Sequence, residues 1–303
     1  MKENNPSLPL RIVVVIVVIL LWLTLSGWRV QLPSSTTNSD SVYQERVIHS
    51  SDGIGKFYMG REIAKVMGHT EALWLERPSR AVTEQPQQVL EALNLKPTDV
   101  VADIGAGTGY FSFRISPLVP EGKVLAVDIQ PEMLDIIDFL KKENNITNVE
   151  SILGSVTNPN LPQESVDLVL MVDAYHEFDY PKEMMEQIVR SLKPDGRVVL
   201  VEYRKENPLI PIKALHKMSQ KQARKEMAAV GLQWLETKNF LPQQHVMIFQ
   251  KPNLKIGNWE LGIGNWEEDF HYFVVNSRSW QSNLKIGVRG QGSGVREDDF
   301  HYF

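Results

Sequence analysis

The stretch Val100-Val101-Ala102-Asp103-Ile104-Gly105-Ala106-Gly107-Thr108-Gly109-Tyr110 decides how the rest of the chain is read. A short apolar run closed by glycines is the pattern of a buried strand leaving its sheet. Three glycines in alternation let the turn adopt positive φ angles and leave no Cβ to hold a ligand off the backbone. A helix over Tyr110 to Leu118 then aims its amide N–H groups, and the positive end of its dipole, at whatever lies in the bend.

Working outward, strand and helix patterns alternate. A helix over Gln87 to Leu95 precedes the bend. After it come a strand at Lys123 to Asp128, a helix from Pro131 to Lys142, a strand at Val149 to Leu153 and a fourth at Val166 to Asp173. A helix from Pro181 to Leu192 and the turn Lys193-Pro194-Asp195-Gly196 lead to a fifth strand, Arg197 to Tyr203. Strands separated by helices form right-handed βαβ units on a mostly parallel sheet. The end differs: a helix at Lys221 to Val230 is followed by two strands, Leu232 to Thr237 and His245 to Lys251, close enough for a hairpin that adds an antiparallel edge. The fold expected is therefore α/β and doubly wound.

In such a sheet ligands sit beyond the carboxyl ends of the strands. Asp128 ends the second strand, where a carboxylate can accept two hydrogen bonds from a ribose diol. A dinucleotide loop reads G-x-G-x-x-G, but here the third glycine arrives one residue early, at Gly109, and position 110 is Tyr. Asp103 ahead of the bend would repel a pyrophosphate. It would attract a cation, and S-adenosylmethionine carries an ammonium, a sulfonium and a ribose but no phosphate.

On these residues, Asp103-x-Gly105-x-Gly107-x-Gly109 and the acid at 128, the chain resembles the class I S-adenosylmethionine-dependent methyltransferases over about residues 87 to 252. The resemblance implies a Rossmann-like, seven-stranded sheet in the order 3-2-1-4-5-7-6 with its last strand antiparallel. It implies that Asp103 lies near the methionine amino group, that Gly105, Ala106, Gly107 and Gly109 form the bend around the cofactor, and that Asp128 holds the ribose hydroxyls. Ile129 would lie against the adenine. Where the family often has an acid after the third strand, this chain has Ser155, which can bond an amine without charge. Among subfamilies, the core looks like the small-molecule methyltransferases that include the ubiquinone and menaquinone C-methylating enzymes.

The fourth strand tip, Asp173-Ala174-Tyr175-His176-Glu177-Phe178, would lie beside the transferred methyl. Methyl transfer needs chiefly an acceptor held in line. His176, with an ordinary pKa near 6.5, or Glu177 could take a proton from that acceptor, and Tyr175 could offer its ring to the sulfonium. Asp173 counts among the cofactor-side residues. His176 and Tyr175 each have a plainer reading, as an orienting histidine and a packed tyrosine. Two other functions stay open: a nucleoside-binding protein without transfer activity, and a nicotinamide-dependent reductase.

Composition removes other classes. The 303 residues carry a net charge of -5, so there is no basic footprint for nucleic acid. No cysteine is present, which excludes disulfides and thiolate metal sites. The seven histidines form no His-x-x-x-His pair within the core, and no metal is expected.

The flanks read differently from the core. Ile12 to Trp28 is an apolar run at the lower limit of a bilayer span, so residues 1–30 are expected to form a signal-anchor helix, with a cleaved and exported form as the alternative. Lys2 and Arg11 against the lone Arg29 place the folded domain on the extracytoplasmic side. Residues 31–53 read as a polar linker. Residues 54–86 read as a cap, in which Ile63, Val66 and Met67 fit one face of a short helix. In the tail, 253–303, Asn253-Leu254-Lys255-Ile256-Gly257 returns at 283–287, an irregular, low-complexity repeat outside the 54–252 domain.

Overall fold

The computed structural model describes residues 42–252. The expected anchor and the repetitive tail lie outside these residues, and among the described residues no helix is long and apolar enough to cross a membrane.

The chain begins with three short strands, β1 (Tyr43–Glu45), β2 (Gly53–Tyr58) and β3 (Arg61–Ala64), paired in antiparallel order β1-β2-β3. This corrects the helix expected around Ile63. Met59 and Gly60 both take positive φ, 49° and 93°, and pair Tyr58 directly with Arg61. A two-residue turn with both central residues left-handed matches strand twist, so it selects a hairpin over a helix. The expected linker, 31–53, also overlaps this sheet, because β1 and the first residue of β2 lie within it.

Two single-turn helices follow, α1 (Ala72–Leu75) and α2 (Arg80–Thr83), and then α3 (Pro86–Leu93), which opens with proline and closes at Asn94 in the left-handed region. The remaining elements are β4 (Val100–Ile104), α4 (Tyr110–Ile115), β5 (Lys123–Asp128), α5 (Pro131–Glu143), β6 (Val149–Leu153) and β7 (Val166–Val172). After them come α6 (Pro181–Ser191), β8 (Leu192–Tyr203), α7 (Gln220–Ala229), β9 (Gln233–Lys238) and β10 (Gln244–Gln250). The large sheet has seven strands in the order β6-β5-β4-β7-β8-β10-β9, which is 3-2-1-4-5-7-6 counted from β4, and β10 runs antiparallel to both neighbours. The turn expected at 193–196 is present as a bulge within β8: Val166 faces Leu192, yet Leu168 faces Arg197.

Strand alternation supplies a core to each side of the sheet. Val101, Val124, Ala126, Leu168, Leu170, Val199 and Val201 belong to one buried cluster with α3, α4 and α5. Ala102, Leu125, Val127, Val169, Met171, Val198 and Leu200 belong to the other, with α6 and α7. The central strands are buried on both faces, as a parallel sheet requires.

Candidate functional site

A cavity of about 1140 Å³ lies beyond the carboxyl ends of β4, β5, β7 and β8. Sites for one drug-sized ligand measure roughly 300–1,000 Å³, so this one has room for a nucleoside and a second molecule. Its floor is Gly105, Gly107, Asp128, Ile129, Asp173 and Ala174. Its roof is the segment from Lys65 to Glu84.

The bend after β4 behaves as its glycines require. Gly105, Gly107 and Gly109 all have positive φ, and the amides of Gly105 and Ala106 donate to the Val127 carbonyl at 2.9 and 3.0 Å. A Cβ on Gly107 would collide with Leu75 of the roof. The Asp128 carboxylate accepts from the Gly107 amide through Oδ2 and from the Gln130 amide through Oδ1, both at 2.9 Å. Burial pushes its pKa up. A carboxylate accepts about four hydrogen bonds in all, so capacity for a hydroxyl remains. Gln130 ties the roof down, accepting from the His69 amide at 2.8 Å and donating to the Met67 carbonyl at 3.0 Å.

Asp103 does not line this cavity. In the sheet register Asp103 faces Ala126, two steps short of Asp128, so the second strand reaches the rim while the first acid stays below it. Alternation points Asp103 to the side of Val101, where it accepts from Ser112 Oγ of α4 at 2.7 Å. Burial raises its pKa to about 6.

Ser155 is also away from the cavity. It is exposed and closes its own turn by accepting from the Asn158 amide at 3.1 Å, and its neighbour Val156 lines the wall instead. Ala106 and Gly109 shape the bend without facing the cavity; Ala106 packs into the core. Asp173 faces it in a left-handed conformation, φ 49°. Its Oδ2 accepts from Gln244 Nε2 at 2.6 Å, its Oδ1 is buried without a partner, and burial holds its pKa well above the usual carboxylate range.

Tyr175 turns away, contrary to its expected place beside a sulfonium. It is fully buried and its hydroxyl donates to Glu226 Oε2 at 2.7 Å. The reason is an ion pair behind it: Arg61 of β3 meets both oxygens of Glu226 of α7 at 2.9 and 3.0 Å and donates to the His176 carbonyl at 3.0 Å. The hairpin β2–β3 thereby locks the loop after β7.

His176 and Glu177 do line the cavity. His176 Nδ1 lies 2.6 Å from Glu202 Oε2, and its Nε2 lies 3.1 Å from Nδ1 of His216. Burial lowers the His176 pKa to about 3 and raises that of Glu202 to about 8. A neutral, buried imidazole so far below the working pH is a poor free base, which corrects the expectation of a histidine titrating near 6.5. Glu177 accepts from the Met67 amide at 3.1 Å and lies 3.2 Å from His216 Nδ1. The pKa of His216 is raised: burial opposes its charge, but Glu177 and Asp52 outweigh it.

The sequence expectation held no metal, because local spacing contains no ligand pair. The fold nonetheless gathers His176, Glu177 and His216, whose ligand-type atoms all lie within 4.8 Å of one another. His216 arrives from a loop 40 residues downstream, too far for any short motif. Sequence reading also passed over the roof cluster, in which Glu84 accepts from Arg77, from Arg80 Nε at 2.6 Å and from the Tyr203 hydroxyl at 2.8 Å. The i,i+4 pairing of Arg80 with Glu84 was its one available signal.

Comparison with known proteins bears on this geometry. A sequence-family model described as "Methyltransferase domain" matches residues 95–274. An uncharacterised methyltransferase-like protein of Schizosaccharomyces pombe is 34% identical over 139 residues, 46% of this chain and 52% of that protein. The chain thus spans about half the length of the curated relatives it matches. A crystal structure of a SAM-dependent methyltransferase from Aquifex aeolicus aligns with a TM-score of 0.58 at 23% identity, covering 61% of this chain and all of that one. The [4+2]-cyclase SpnF aligns with a TM-score of 0.50 at 14% identity, covering 57% of this chain and 82% of that one. Both structural likenesses concern the fold.

Proposed function

The chain belongs to the methyltransferase-domain family, and on that premise we propose that it transfers a methyl group from S-adenosylmethionine to a small or lipid-soluble acceptor. The observation that carries this reading is Asp128, which lines the cavity rim and is held there by the Gly107 amide. Asp128 would hold the ribose diol, Ile129 would pack against the adenosyl group and Asp173 would face the methionine arm, since all three line the cavity. The Oδ1 of Asp173, buried without a hydrogen-bond partner, would accept from the ammonium.

S-adenosylmethionine would supply the methyl group, and His176, Glu177 and His216 would line the part of the cavity left for the acceptor. The enzyme's work is positional: it presents the acceptor's nucleophilic atom in line with the sulfonium and shields both from water under the roof. Attachment to a membrane through residues 12–28 belongs to the same proposal and is tested by fractionating cells that express chains with and without them.

The reading predicts micromolar binding of S-adenosylhomocysteine in calorimetry, no comparable binding of NAD, and transfer of labelled methyl from S-adenosylmethionine into a small-molecule extract. Preference for NAD would favour the reductase. Tight binding without any labelled product would favour a protein that keeps the nucleoside pocket and has no transfer activity; SpnF, named for a cyclisation, has the same fold.

A further inference from the structure

We propose that His176, Glu177 and His216 bind one divalent transition-metal ion at the polar end of the cavity. The inference stands on the placement of five side chains and does not depend on the methyl-transfer reading.

The three candidate donor atoms are spaced as one ion would space them. His176 Nε2 lies 3.1 Å from His216 Nδ1 and 3.8 Å from Glu177 Oε1, and His216 Nδ1 lies 3.2 Å from the same carboxylate oxygen. Nitrogen and oxygen ligands bound at about 2.0–2.1 Å in a tetrahedron are separated by about 3.3 Å along each edge. A single ion above this triangle reaches all three with side-chain adjustments of a few tenths of an ångström.

Each histidine is backed by a carboxylate on its far nitrogen. His176 Nδ1 is 2.6 Å from Glu202 Oε2, and His216 Nε2 is 3.3 Å from Asp52 Oδ2. An ionised carboxylate behind a ligating imidazole, as Glu202 is once its proton has left, fixes the ring and its tautomer with the proton on the far nitrogen. Here that arrangement leaves the His176 Nε2 and His216 Nδ1 lone pairs pointing at each other and at Glu177. Three convergent donors repel one another unless a cation lies between them. Either a proton on His216 or a metal ion relieves the repulsion, and only the metal satisfies all three at once.

The five carboxylate and imidazole side chains come from four separate parts of the fold. Asp52 precedes β2, His176 and Glu177 follow β7, Glu202 ends β8, and His216 sits in the loop before α7. Glu202 is buried, whereas His176, Glu177 and His216 all line the cavity, so a fourth coordination position opens into the cavity. An open site with three protein ligands is the form taken by catalytic rather than structural zinc. Two imidazoles and one carboxylate suit Zn²⁺, Co²⁺, Ni²⁺ or Fe²⁺; Mg²⁺ and Ca²⁺ prefer all-oxygen sites. The ligand class for the open position is water or an anionic oxygen.

The test is a titration of the chelator-treated full chain with Co²⁺, followed by visible absorption. One Co²⁺ per chain should bind, with the d–d bands of a low-symmetry site, and Zn²⁺ should abolish them by displacement. His216→Gln and Glu177→Gln should each weaken binding at least tenfold. Asp52→Asn, which touches no ion, should weaken it about ten- to a hundredfold through the His216 ring. Circular dichroism on each variant separates lost binding from lost structure, and Asp52→Asn carries the test should His216→Gln fail to fold. Absence of saturable binding to the unaltered chain would leave the proton as the occupant and overturn the proposal. Binding that survives both His216→Gln and Asp52→Asn would place the ion elsewhere and overturn it equally.

Discussion

The amide of Gly107 donates to Oδ2 of Asp128 at 2.9 Å, so the glycine bend after the first strand of the core and the acid ending the second form one hydrogen-bonded unit. Removing the carboxylate should therefore cost twice, once in ribose contacts and once in the set of the bend. Hydrogen bonds to a charged group contribute about 1.5–3 kcal/mol each. Asp128→Ala should weaken S-adenosylhomocysteine binding at least tenfold in calorimetry while far-UV dichroism stays unchanged; equal affinity would remove the ribose role.

Asp103 sits behind the bend on Ser112, and its pKa is raised from 3.8 to about 6. An acid whose pKa is higher in the folded state contributes stability below its unfolded pKa and loses it as pH rises through about 6. That displacement corresponds to about 3 kcal/mol. Asp103→Asn should thus melt higher than the unaltered chain at neutral pH, with the gap closing between pH 6 and 4. Its effect on S-adenosylhomocysteine affinity should be smaller than that of Asp128→Ala. The reverse ranking would show that the acid turns into the cavity when ligand binds.

The pair Arg61–Glu226 is almost fully buried, at 5% and 0% side-chain exposure. Removing one partner of such a pair leaves an uncompensated charge and costs about 3–5 kcal/mol. Urea unfolding of Arg61→Met should show a loss in that range, and adding Glu226→Gln should recover part of it. A loss under about 1 kcal/mol would mean the pair does not hold the hairpin to the sheet.

His245 of β10 is buried with neither ring nitrogen paired, and burial lowers its pKa to about 4; Arg204 disfavours its charge and Glu206 favours it. The fold prefers the neutral ring. The unfolded chain takes up a proton below about 6.5, so stability present above that pH is lost as pH falls towards 4, by about 3 kcal/mol in all. His176 acts in the same direction, so the readout is a difference. The acid limb of a plot of unfolding free energy against pH should be shallower for His245→Leu. Parallel limbs would show that His245 keeps its proton balance on unfolding.

The seven-stranded sheet could be read from residues 87–252 because its signals are local. Apolar runs of strand length, glycines at 105, 107 and 109 and prolines opening α5 and α6 act within a few residues of themselves, and the positive φ angles at the bend are demanded wherever the chain lies. The chain alone therefore determined the order of elements and the place of the bend. What it left undecided was which side chains face the cavity. Asp103 and Asp128 look alike as acids at strand ends, and only the register that sets Asp103 opposite Ala126 makes one a core residue and the other a rim residue. Tyr175 and His176 are neighbours, yet Glu226 draws one hydroxyl inward while Glu202 and His216 fix the other ring at the cavity. The first hairpin had a local signal in its Met59-Gly60 turn, but the burial of Arg61 against a helix far along the chain had none. Local backbone preference is written in neighbouring residues, whereas charge pairing and exposure depend on distant ones, and those partners meet only after the chain has folded.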